Sequence, residues 1–123
     1  MIQISFLLAG LLAFAWLLVH LIAGGRQIVT PAFGTPGLDP VVRDTLYICW
    51  HFTSVSILVI AALFLAAAAG AGETFALVGT TLSAGFVVSG VWVQAVVRQP
   101  FRHLPQGWLF LPIAALGAWG ILQ

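Results

Sequence analysis

The chain contains no lysine, and all four of its basic residues other than histidine are arginine; only three acids oppose them. With 6% charged residues against 62% hydrophobic ones, it falls far below the roughly one-quarter charge content of soluble domains. A water-soluble globular protein is excluded. Net charge +1 with no basic cluster excludes a nucleic-acid footprint. A single cysteine, Cys49, excludes an internal disulfide, and no CxxC or His/Cys pattern of zinc-site type occurs. A Ser/His/Asp set, paired intramembrane carboxylates and the glycine patterns of phosphate- or dinucleotide-binding loops are missing as well. The acids Asp39, Asp44 and Glu73 lie at helix ends or in loops, so proton-coupled transport through a buried carboxylate is not expected.

What remains is apolar length. The charges cut the 123 residues into uncharged runs, Met1–Gly25, Thr45–Gly72, Thr74–Val97 and Leu104–Gln123, of 25, 28, 24 and 20 residues. About 20 apolar residues at ~1.5 Å rise cross the hydrocarbon core, so each run is long enough for one crossing. A backbone with no water to bond must close its own hydrogen bonds as a helix or a sealed barrel. No period-2 alternation is present, and Leu and Ala dominate, so the runs read as helices. The expected fold is an all-α membrane protein, a single domain over residues 1–123 forming an antiparallel bundle of four transmembrane helices, approximately 3–24, 40–69, 74–97 and 106–122. The first run lacks the basic start and small-residue cleavage site of a signal peptide and is read as helix 1. Asp39 and Pro40 suit the cap and first position of helix 2, whereas Pro112 is expected inside helix 4, with a kink.

Four antiparallel crossings place Arg26, Arg43, Arg98 and Arg102 on one side and no arginine on the other. The positive-inside rule makes that side cytoplasmic and puts both termini on the non-cytoplasmic side.

Polar groups inside a bilayer are costly and usually face the bundle interior. His20 lies six residues before Arg26, and His51 eight after Arg43, so the two sit ~9 and ~12 Å below their arginines, at one depth. Gln94, four residues before Arg98, is slightly shallower. Arg43, Tyr47 and His51 follow at intervals of four and share one helix face, which Ser54 continues; Trp16 and His20 are similarly spaced. Gly24-Gly25-Arg26 reads as a loop entry. These residues, with Trp50, outline a small polar pocket on the arginine side. Paired histidines on two helices are one way to ligate haem b or a metal ion, with Arg26 and Arg43 holding propionates, phosphates or anionic headgroups. The plainer alternative is an interhelical hydrogen bond from a helix-end His, with interfacial Arg, Tyr and Trp as anchors. His103, between prolines, reads as surface-facing. Arg98 and Arg102 beside it are placed to meet anionic lipid, and Cys49 is a small apolar residue turned away from the Tyr47–His51 stripe.

Helix 3 carries two small-xxx-small pairs, Gly79–Ser83 and Gly85–Ser89, which allow close helix approach. They mark it as the centre of the bundle or as a contact for a partner subunit.

The pattern His20-Leu21…Gly24-Gly25-Arg26…Pro31…Tyr47…Trp50-His51 resembles a family of small uncharacterised bacterial membrane proteins with four expected helices. The likeness spans helices 1 and 2. It implies a bacterial inner (plasma) membrane location and carries no activity with it. Three functions are therefore expected: a non-catalytic accessory or assembly subunit, partnered by lipid and by other membrane subunits or its own copies; a haem- or metal-binding electron-transfer or enzyme subunit using His20 and His51; or a lipid- or quinone-binding protein using the Arg26/Arg43/Tyr47 rim.

Overall fold

The computed structural model describes residues 3–123, so Met1 and Ile2 at the head of the first run lie outside the described residues. Among the described residues the structure is all-helical, with no strand. Three helices are long and apolar enough to cross a membrane: α1 (Ile4–Gly34), α2 (Pro40–Ala68) and α3 (Glu73–Val97). A shorter apolar helix, α4 (Trp108–Ile121), follows.

Their ends obey local chemistry. Asp39 caps α2, its Oδ1 accepting from the N–H groups of Val41 at 2.8 Å and Val42 at 3.2 Å, with Pro40 in the first turn. At the far end of α2, Gly70 takes φ +91°, a left-handed conformation that lets the N–H groups of Gly70 and Ala71 return to the carbonyls of Ala67 and Ala66. Glu73 then opens α3 with an acid in the first turn, favourable against the helix dipole.

Helix 1 departs from expectation. It runs ten residues beyond Gly24, α-wound over Ile4–Val19, π-wound over His20–Val29 and α-wound again over Thr30–Gly34. Gly24-Gly25-Arg26 is thus part of the helix, not a loop. The cause is a neighbour: a Cβ at Gly24 would lie 2.5 Å from Trp50 Cη2, so the bare glycine lets the indole of α2 press against the helix and hold it. Helix 4 also differs. A 3₁₀ turn over Trp108–Phe110 precedes the α-helix Leu111–Ile121, which places Pro112 in the first turn, where its missing N–H is no loss, and no interior kink is required.

Close approaches define the packing. Gly10 lies against Leu65 and Gly24 against Trp50, so α1 and α2 are antiparallel. Gly79 meets Phe64, setting α3 against α2; Gly90 meets Gly107 and Gly117 meets Thr80, setting α4 against α3; Gly120 meets Phe6, closing the ring back to α1. Helix 3 is therefore one side of a four-membered ring and not its centre, with α2 and α4 as its neighbours. All four arginines belong to the same end of this bundle.

The core is confined to the opposite end. Phe6, Ala9, Ala13 and Leu17 of α1 meet Ile57, Ile60, Ala61, Phe64, Ala67 and Ala68 of α2, with Ala76 of α3 and Phe110 and Ile113 of α4. Alanine and glycine are frequent there because apolar surface gains little by leaving lipid for protein; close backbone approach and dispersion contacts hold such helices together. Ser83 is fully buried and returns its hydroxyl to the Gly79 carbonyl at 2.8 Å. Gly85, the start of the second small-residue pair, meets nothing within 4 Å. Towards the arginine end the helices expose Tyr47, Phe52, Trp92 and Val96.

Candidate functional site

The residues expected to form one pocket fall into three separate contacts. The first joins α1 to α2. His20 stacks on Trp50, with ring centroids 3.7 Å apart and planes 17° from parallel. Its Nε2 lies 3.1 Å from Ser54 Oγ and 3.4 Å from the Trp50 carbonyl. Ser54 donates its own hydroxyl to that carbonyl at 3.0 Å. A carbonyl only accepts, so His20 Nε2 carries the proton and donates. Gly24, one turn on, provides the space for the Trp50 ring. The result is a polar lock between two helices, in which the histidine satisfies a serine and a backbone oxygen.

The second contact is an aromatic stripe on the outside of the same pair. Arg43 lies over the Phe33 ring at 5.1 Å, Phe33 meets Tyr47 edge-on at 5.1 Å, and Tyr47 meets His51 edge-on at 4.5 Å. His51 is exposed. Arg43 also donates from Nε to Asp44 at 2.8 Å, the one ion pair among the described residues. Such an exposed pair contributes little energy but commits both charges. Phe33 had no signal in the sequence, because it stood in an expected loop; the continued helix brings it to Tyr47. Arg26 is exposed on the π-wound turn and Cys49 is exposed on α2.

The third contact links α3 to α4. Trp108 donates its indole N–H to Gln94 Oε1 at 3.0 Å, and Trp16 donates to the Leu109 carbonyl at 2.9 Å, so two tryptophans tie the start of α4 into the ring. No periodicity connects Gln94 to Trp108, so only the fold reveals the bond. Gln94 accordingly belongs to α4's anchor and not to the histidine layer.

Chemically, the arrangement lends no support to haem or metal ligation. His20 has spent its Nε2 on α2, His51 packs on Tyr47, and no group of three or more His, Cys, Asp or Glu side chains is placed to hold a metal ion among the described residues. Ser54→Ala removes the nearer of the two acceptors facing His20 Nε2 and is expected to lower stability by about 0.6 kcal/mol, the usual size of an interhelical hydrogen bond in a membrane bundle. A denaturation midpoint in mild detergent measures this; a loss several times larger would show that the lock organises the whole bundle.

Compared with known protein families, curated proteins and solved structures, the chain matches none.

Proposed function

We propose that this chain is a non-catalytic accessory or assembly subunit of a larger complex in the bacterial inner membrane. In this reading it crosses the bilayer four times, with both termini on the non-cytoplasmic side and the arginine-bearing end in the cytoplasm. The observation that carries the subunit assignment is the outward face of α3. Thr81, Gly85, Val88, Trp92 and Val96 follow at helical spacing, and Val88, Trp92 and Val96 are 70%, 69% and 62% exposed. Gly85 opens onto free space in the middle of that face. A helix-interior glycine costs about 1 kcal/mol relative to alanine and offers lipid no compensating contact. Its use is to let another helix approach closely.

The charge asymmetry supports the orientation. The fourth crossing is supported by the place of α4 in the ring, with Ile113, Gly117 and Gly120 buried. Its 11 α-helical residues and three-residue 3₁₀ turn span only ~22 Å, so local thinning of the bilayer accompanies it.

The test is capture of the tagged chain from native membranes in mild detergent, beside Gly85→Leu. The expected result is one stoichiometric membrane partner with the parent chain and none with the variant, at equal yield and with a melting temperature no lower than the parent's. A chain that elutes alone, or only with its own copies, overturns the assignment. So does a Soret band or stoichiometric metal that disappears in His20→Ala and His51→Ala, which would make the two histidines cofactor ligands.

A further inference from the structure

A second face of α3, turned well away from the Gly85–Trp92 stripe, carries a different chemistry. At the arginine end lies a cleft of about 480 Å³ lined by Val91, Gln94, Ala95, Arg98, Gln99 and Pro100. Both glutamines have their carbonyl oxygens occupied. Gln94 Oε1 accepts from the Trp108 indole, and Gln99 Oε1 lies 3.3 Å from His103 Nδ1, which donates to it. Each side-chain NH₂ is left to donate elsewhere.

Arg98 adds the fork of a guanidinium and is unpaired among the described residues, where Arg43–Asp44 is the one ion pair. The acids of this end are committed, Asp44 to Arg43 and Asp39 to the cap of α2. Each glutamine oxygen already accepts one bond, so the side chains lining the cleft offer mainly donors, two NH₂ groups and one full positive charge, and no carboxylate. The orphan carbonyls at the end of α3 amount to about half a negative charge, which the Arg98 charge outweighs. Arg98 is also the one non-glycine residue with positive φ among the described residues, at 52°. That conformation costs a side-chain-bearing residue about 1 kcal/mol or more, so arginine stands where glycine would fit the backbone better.

Donor excess with one cation is the complement of a phosphate diester, which has only acceptors and one negative charge. Val91 and Ala95 form an apolar wall directly beside it. The geometry points to a binding site for an anionic phospholipid in this cleft, with Arg98, Gln94 and Gln99 donating to its phosphate and Val91 and Ala95 against its acyl chain. Because the cleft runs from Arg98 inward past Gln94 to Val91, within the spanning-length helix α3, the ligand is a membrane lipid and not free phosphate.

Native mass spectrometry of the whole chain released from mixed phosphatidylglycerol and phosphatidylcholine micelles tests this. The parent chain is expected to retain one phosphatidylglycerol in preference to phosphatidylcholine, and millimolar inorganic phosphate is expected not to displace it. Arg98→Gly suits the left-handed backbone, so it should melt no lower than the parent while its retention falls roughly fivefold, the contribution of one arginine near a membrane surface. Gln94→Glu keeps an oxygen for Trp108 but places a carboxylate in the cleft, and is expected to abolish retention. Equal retention of the two lipids by the parent chain, unchanged retention in both variants, or displacement by inorganic phosphate each overturns the proposal.

Discussion

Gly107→Ala is expected to melt well below the parent chain, with a loss at or above about 3 kcal/mol, the top of the usual range for overpacking. A Cβ at Gly107 would lie 2.7 Å from Gly90 Cα, 2.9 Å from its carbonyl carbon and 3.1 Å from Val91 N. Those atoms are backbone, so no rotamer change relieves the contact. The α3 and α4 axes must separate, and the Trp108–Gln94 bond that depends on their approach is lost with them. Gly90→Ala should behave alike, since its Cβ would fall on the Gly107 backbone. Gly85→Ala is the control: it meets nothing within 4 Å and should leave the isolated chain unchanged or up to about 1 kcal/mol more stable, the difference in helix propensity. Thermal or denaturant midpoints in one detergent measure all three. An unchanged midpoint for Gly107→Ala would show that the two helices do not touch there.

Phe64→Ala carries the second large effect, a loss of about 3 kcal/mol. Phe64 is fully buried, and three helices close on it: Gly79 from α3, Gly117 from α4 and Phe6 from α1, whose ring centroid is 6.4 Å away. In a bilayer the unfolded reference also sits among hydrocarbon, so the transfer part of the penalty shrinks. The cavity and the dispersion contacts of its lining make up most of what is lost, which sets the value at the low end for a phenylalanine. Beside it, Thr80 Oγ1 is buried without a hydrogen-bond partner and occupies the space left by Gly117. The site already bears one unsatisfied polar atom and has no slack to absorb a second defect. A substitution that keeps much of the side-chain volume, Phe64→Met, should cost less than Phe64→Ala; equal losses for the two would make the aromatic shape, and not the filled volume, the source of stability.

The contrast between these sites and those readable in the chain lies in the range of the forces involved. Asp39-Pro40 announces the start of α2 because capping is settled within three or four residues, and Gly70 to Glu73 mark a turn for the same reason. The lengths of the apolar runs and the placement of four arginines between them follow from the energy of moving groups into hydrocarbon, which is nearly additive along the sequence. Helical composition, three helices of spanning length and the shared stripe of Arg43, Tyr47 and His51 needed nothing further.

Rotation and termination depended on neighbours. His20 and His51 share a depth, yet His20 turned to Trp50 and Ser54 while His51 turned to Tyr47, because the facing of a helix is decided by what packs against it. Helix 1 continued through two glycines because Trp50 supports it, and Pro112 became a first-turn residue because Trp108 and Leu109 anchor a tight turn just before it. Among thirteen glycines, Gly90 and Gly107 became a backbone contact and Gly85 an open face. Gly79 and Gly85 each open a Gly-xxx-Ser pair, yet Gly79 lies against Phe64 and Gly85 faces open space, since only the position of a second helix distinguishes them. Composition and spacing establish a helical, apolar chain with its arginines gathered between the apolar runs; which faces meet emerges only when the helices pack, because close packing is a property of pairs of surfaces.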